Sequence, residues 1–78
     1  MKELVEFIVK NLVDDTDAVV VEVSEQEKEI NVLVRVSEAD LGKIIGKSGR
    51  VANSIRTVAR TSARKQNKRV NVKFTDKK

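Results

Sequence analysis

Between Met1 and Val13 the apolar residues Leu4, Val5, Phe7, Ile8, Val9, Leu12 and Val13 return at helical spacing, with Lys2, Glu3, Glu6, Lys10 and Asn11 between them. A stripe of that period predicts an amphipathic helix over residues 2–13. Asp14-Asp15-Thr16-Asp17 ends it. The period then drops to two. Val19, Val21 and Val23 alternate with Val20, Glu22 and Ser24, and beyond Glu25-Gln26-Glu27 the alternation resumes in Ile30, Val32, Val34 and Val36. β-Branched alternation on both sides of a short polar connection predicts an antiparallel hairpin, with strands at 18–24 and 29–36.

Ser37 then offers an N-cap, with Asp40 three residues on in the capping-box position. A short helix over 38–45 follows, with Leu41, Ile44 and Ile45 on its buried side, and Gly46 is its expected left-handed stop. After a glycine loop at 46–49, a longer helix over 50–66 buries Val51, Ala52, Ile55, Val58 and Ala59 and frays through Lys65-Gln66-Asn67-Lys68. Val70, Val72 and Phe74 alternate in a last strand at 69–75, before the charged tail Asp76-Lys77-Lys78. Phe7 and Phe74, the only aromatics, both fall at core-like positions.

The expectation is one α+β domain over residues 1–78, in the order helix, strand, strand, helix, helix, strand. The last two strands, joined through two helices, are expected to run parallel. That makes a three-stranded mixed sheet, covered on one face by three helices. The other face would carry Val20, Glu22, Asn31, Leu33, Arg35, Asn71 and Lys73, or the opposite set, and meet water.

Composition narrows the chemistry. With 78 residues and neither Cys nor His, there is no disulfide framework, thiolate nucleophile or His/Cys metal site. No nucleophile, general base or metal constellation stands out, so no enzyme and no cofactor is expected. No apolar run is long enough to span a membrane, and Glu3, Glu6 and Lys10 interrupt the segment where a signal peptide would be apolar. A soluble cytoplasmic protein is expected. Net charge is modest at +4, but residues 1–41 carry −7 and residues 42–78 carry +11. That polarity points to one face made for a polyanion.

The stretch Gly42–Gly49, GKIIGKSG, contains the Gly-Lys-Ser that closes a nucleotide-binding P-loop. A P-loop needs four residues between its first Gly and that triplet, whereas Gly42 and Gly46 are separated by three, two of them isoleucines suited to a helix core. Read from Gly46, the same segment is a Gly-Lys-Ser-Gly turn between two helices. Two glycines let a sugar-phosphate backbone lie against the main chain, and the N–H groups and dipole of the second helix attract phosphate. A plain helix–helix corner would use the same glycines. Lys43, Lys47 and Arg50 surround the turn, and Arg56, Arg60 and Arg64 continue the charge along the second helix, the footprint of nucleic-acid binding.

The run DLGKIIGKSGRVANSIRTVAR, Asp40 to Arg60, resembles the signature of KH domains, a hydrophobic-Ile-Gly-x-x-Gly followed by a helix. The element order resembles the type II arrangement, and the whole chain is similar to the small stand-alone bacterial KH proteins of the KhpA family. The resemblance implies that about four nucleotides of single-stranded RNA are clamped at the loop. RNA-binding residues would be Gly46, Lys47, Ser48, Gly49, Arg50, Lys43, Asn53 and Arg56. The bases would lie in a shallow groove with Leu41, Ile45 and Ala52 on its floor, Ala52 standing where many KH domains have a larger aliphatic. It also implies a post-transcriptional regulator or RNA chaperone, and pairing as a homodimer or with a larger KH-containing protein. The competing readings are a helix-turn-helix DNA-binding domain, with Arg50, Asn53 and Ser54 as base readers, and a protein-interaction module.

Overall fold

The computed structural model describes residues 1–76, and of Lys47 the backbone only. Helix α1 (Lys2–Leu12) leads through a short 3-10 turn (Thr16–Ala18) into strands β1 (Val20–Glu25) and β2 (Glu29–Arg35). A helical run α2 (Glu38–Arg64) and strand β3 (Arg69–Thr75) complete the chain. The sheet order is β1-β2-β3. β1 pairs antiparallel with β2, Val21 facing Val34, and β2 pairs parallel with β3, Val32 facing Val72. This is the mixed three-stranded sheet of the type II KH arrangement. Among the described residues no helix is long and apolar enough to cross a membrane.

The central strand β2 shows why the sheet is one-sided. Ile30, Val32 and Val34 are fully buried, while Asn31, Leu33 and Arg35 point the other way. On the covered face they meet Val5 and Val9 of α1, Val21 of β1, Val72 of β3, and Ile44, Ala52, Ile55, Ala59 and Ala63 of α2. Three of those α2 residues are alanines, so the second half of the helix lies close against the sheet. α1 packs over β1 and α2 over β3.

The core is aliphatic. Phe7, expected inside, is 69% exposed, and Phe74 is only half-buried. The apolar stripe of α1 is wider than the surface that covers it. Val5 and Val9 take the inner line, and Leu4, Phe7 and Leu12 are left outside.

The two helices expected over 38–66 are present as two arms of one helical run, Glu38–Arg64, joined by a corner in place of the expected four-residue loop. The run is not straight. A rod of that length would measure about 40 Å, longer than the molecule's longest dimension of 34 Å. The backbone turns left-handed at Ser48 (φ +61°) and Gly49 (φ +71°), a conformation no α-helix contains. A first arm therefore ends there and a second begins. At its far end the run closes without the expected fraying. Asn67 is left-handed (φ +57°), Lys68 N–H donates to Ala63 O and Asn67 N–H to Arg64 O, each at 3.0 Å. Those two bonds satisfy the terminal carbonyls in a Schellman cap.

The first arm is anchored by a buried carboxylate. Ser37 Oγ accepts from Asp40 N–H at 3.2 Å, as an N-cap should. Asp40, however, does not reach back to close a capping box. Its carboxylate, 2% exposed, accepts from the backbone N–H groups of Asp14 and Asp15 at 3.0 and 3.1 Å and from the Ser37 hydroxyl at 2.9 Å. It ties the connection after α1 to the start of α2. The bonds from Asp14 and Asp15, ahead of the Ser37 bond and the Lys43 charge, hold the carboxyl below its usual value of 3.8 against the opposing effect of burial. A group whose folded pKa is depressed stabilises fully above its unfolded value and loses that contribution as pH falls through the folded one. Asp40→Asn should therefore melt several degrees below the parent at neutral pH. The difference should shrink only below about pH 3.8, as thermal melts across pH read by circular dichroism would show.

Candidate nucleic-acid interface

The corner at Ser48 and Gly49 is the feature on which the site is built. Sequence alone points to Gly46 as the left-handed residue. Gly46 instead stays right-handed, with open space around the position a Cβ would take, and the left-handed pair comes two residues later. Ser48 holds that conformation despite its side chain, at a cost of about 1 kcal/mol. At Gly49 a Cβ would meet nothing closer than Asn53 Nδ2 at 3.9 Å, so glycine is favoured there by backbone angle and not by crowding. Ser48 is exposed and Gly49 half-buried. The side chain of Lys47 lies outside the described residues.

The charged residues around the corner are not equivalent. Arg50 is exposed, its carbonyl accepting from Ser54 Oγ at 2.9 Å. Lys43 is already engaged, donating from Nζ to the Asp14 carboxylate. That bond first, and the charges of Asp14 and Asp40 after it, raise its pKa above the usual lysine value. Arg56 turns toward the sheet. Nη1 donates to Asn53 Oδ1 at 3.3 Å, Nε donates to Val72 O at 3.5 Å, and the guanidinium sits 5.3 Å from the centre of the Phe74 ring. A cation–π contact there is worth about 0.5–1 kcal/mol. Arg56 therefore braces the second arm against β3 while presenting part of its charge to solvent.

The three residues expected on a groove floor separate by depth. Leu41 is half-buried, Ile45 is 54% exposed, and Ala52 is 3% exposed, packed into the core. The inner face of the first arm runs through Asp40 and Ile44, one turn apart. Ile45 lies about 100° round the helix from Ile44 and reaches the surface. Ala52 sits with Ile55, Ala59 and Ala63 in the seam against the sheet, where a larger aliphatic would push the arm outward. The exposed apolar contact beside the corner is therefore Ile45 with Leu41. Asp14, missed on sequence, is the carboxylate that meets Lys43; no local signal announces a pair 29 residues apart.

The charge polarity of the chain survives folding in part, since Lys43 meets Asp14 and Lys68 meets Glu25 at 3.9 Å. β1 and the hairpin carry Glu22, Glu25 and Glu27 at one edge of the sheet, and β3 carries Arg69 and Lys73 at the other, with Arg56 and Arg60 above it on α2.

The family model described as KhpA/KhpB, KH domain, matches residues 2–74. The chain belongs to that family. It is 50% identical over 74 residues to the RNA-binding protein KhpA of Borreliella burgdorferi, covering 95% of this chain and 90% of that one. The RNA-binding protein KhpA of Clostridium perfringens is 49% identical over 74 residues, 95% of this chain and 99% of the relative. That of Aquifex aeolicus is 46% identical over 70 residues, 90% and 89%. No solved structure matches the chain significantly. In this member of the KhpA/KhpB family the Gly-x-x-Gly segment is not a free loop but a kink inside one helical run.

The corner's backbone angles make a paired prediction. Gly49→Ala should lose about 1 kcal/mol through left-handed strain, whereas Gly46→Ala, in right-handed helix with open space, should gain about 0.5–1 kcal/mol. Urea denaturation of both variants measures this, and equal shifts of one sign would contradict the placement of the kink.

Proposed function

We propose that this protein binds single-stranded RNA, with the sugar-phosphate backbone crossing Gly46, Lys47, Ser48 and Gly49 at the start of the second arm. The observation that carries the reading is the passage from right-handed backbone at Gly46 to left-handed at Ser48 and Gly49. A change of hand of that kind turns successive N–H groups into an anion-binding concavity, here at the positive end of a helix dipole. The relatives' name, RNA-binding protein KhpA, supports RNA as the polyanion. Arg50 and Lys43 add charge beside the corner, Asn53 and Arg56 continue it along the arm, and Leu41 and Ile45 offer apolar surface to a base. The reading is one of binding without catalysis, by a cytoplasmic post-transcriptional regulator or RNA chaperone.

Replacing Lys47 and Ser48 together by Asp should abolish binding of a short labelled RNA with little change in thermal stability. Unchanged affinity would remove the corner from the site. A preference for duplex DNA over single strands, in competition at two salt concentrations, would favour the helix-turn-helix reading instead.

Pairing belongs to the same proposal. Leu4 and Phe7, three residues apart on one side of α1, are exposed together with Val58 of α2. A cleft of about 330 Å³ between the helices is lined by Leu4, Thr57, Val58, Thr61, Ser62 and Lys65. An apolar patch rimmed by polar residues marks a contact surface, here for a second copy of the chain or a larger KH-containing protein. Sedimentation should find the parent dimeric and the double variant Phe7→Glu/Val58→Glu monomeric. A parent that stays monomeric when concentrated leaves only the mixed pair.

A further inference from the structure

The helix-free face of the sheet is continuous with the RNA side. One cleft of about 350 Å³ lies between the second arm and β3, walled by Arg56, Arg60 and Val72. Another, of about 440 Å³, opens on the helix-free face over Ser24 and Leu33. Asn31, Asn71 and Lys73 line both. A strand lying in the first can cross the sheet edge into the second without leaving the surface.

The chemistry of that path suits a nucleic acid. Arg56 and Arg60 stand one turn apart, about 6 Å along the axis. Like charges at that spacing disfavour a helix, and an anion laid across them removes the penalty. Among the described residues neither Arg60 nor Lys73 takes part in a salt bridge or side-chain hydrogen bond. Past them, Asn71 Nδ2 donates to Glu29 Oε1 at 2.6 Å and to Asn31 Oδ1 at 3.2 Å. Both amide hydrogens of Asn71 are then used, which leaves Asn71 Oδ1 as an acceptor and Asn31 Nδ2 as a donor on the same face. A nucleobase edge offers the matching donors and acceptors. The carboxylates of this face are occupied, Glu29 by Asn71 and Glu22 by Arg35 Nη1 at 2.7 Å.

The same edge presents backbone groups that a peptide strand would pair with. Arg69 N–H and Thr75 C=O bond toward the β2 side, so the alternate residues Val70 and Val72 turn their backbone groups outward. Arg56 Nε already donates to Val72 O, however, and a capped edge carrying cations resists strand addition.

We propose that RNA leaving the corner continues along Arg56 and Arg60, crosses β3 at Lys73, and lays a further base on the Asn31–Asn71 amide pair of the helix-free face. This rests on the RNA-binding reading of the corner. The test is a nuclear magnetic resonance titration of the full chain with single-stranded RNAs of about four and about eight nucleotides. Both should shift the backbone amides of Ser48 and Gly49, and only the longer should shift the side-chain amides of Asn31 and Asn71. The longer RNA should also bind about tenfold more tightly, and Asn31→Ala/Lys73→Gln should lose most of that gain while binding the shorter RNA like the parent. Silent Asn31 and Asn71 side chains, or a length gain that survives the substitutions, would overturn the path. Ser48 and Gly49 silent at both lengths would instead remove the corner reading and the path with it. Shifts of Val70 and Val72 produced by an uncharged strand-forming peptide, and not by RNA, would give the edge to protein.

Discussion

A helix of 27 residues and a sheet of six- and seven-residue strands are mismatched in length. The strands span about 23 Å, while the helix laid straight would span about 40 Å. The excess has to overhang the sheet or change direction, and the chain changes direction at Ser48 and Gly49. Several features follow from that corner. The second arm is set over β3, the chain emerges at Arg69 in position to run parallel to β2, and the kink stands at the margin of the layer. A helix without the break would leave either the alanine seam or Ile44 without its place in the core.

Two contacts keep the arms where the corner puts them. Asp40 holds the first arm to the connection after α1, through bonds that a carboxylate makes better than a neutral side chain does. The second arm is held by close approach. Ala52, Ala59 and Ala63 bring it near enough for Arg56 to reach both the Val72 carbonyl and the Phe74 ring. The surface therefore depends on the core directly beneath it, since a bulkier residue in the seam would withdraw Arg56 from the strand it caps.

Period-two alternation made β2 legible, because every inward residue is β-branched and nearly every outward one polar. The helix stripes were legible as stripes and not as orientations. Six apolar residues in α1 define a face broader than the sheet can cover, and only packing decides that Val5 goes in and Phe7 stays out. Ile44 and Ile45 are equally hydrophobic, and the choice between them is made by Asp40, whose partners lie 25 and 26 residues away. The segment Gly46–Arg50 was readable as a corner between two helical arms, though not which of its residues turns left-handed. The candidate site was unreadable where groups from distant elements meet, as Lys43 with the Asp14 carboxylate or Arg56 with the Val72 carbonyl. The left-handed Asn67 carried a usable signal, since asparagine is favoured there after glycine, but the charged residues around it resemble a fraying end.

The sheet order converts an asymmetry along the chain into one across the molecule, with carboxylates toward the β1 edge and cations toward β3. An object charged in this way does not meet a polyanion at random. Its orientation is biased before contact, so the long-range field acts mainly on the rate of productive encounter. With no histidine or cysteine in the chain, side-chain charge barely changes around neutral pH. Ionic strength, which sets how far the field reaches, is then the condition that governs how often a collision arrives with the β3 side leading.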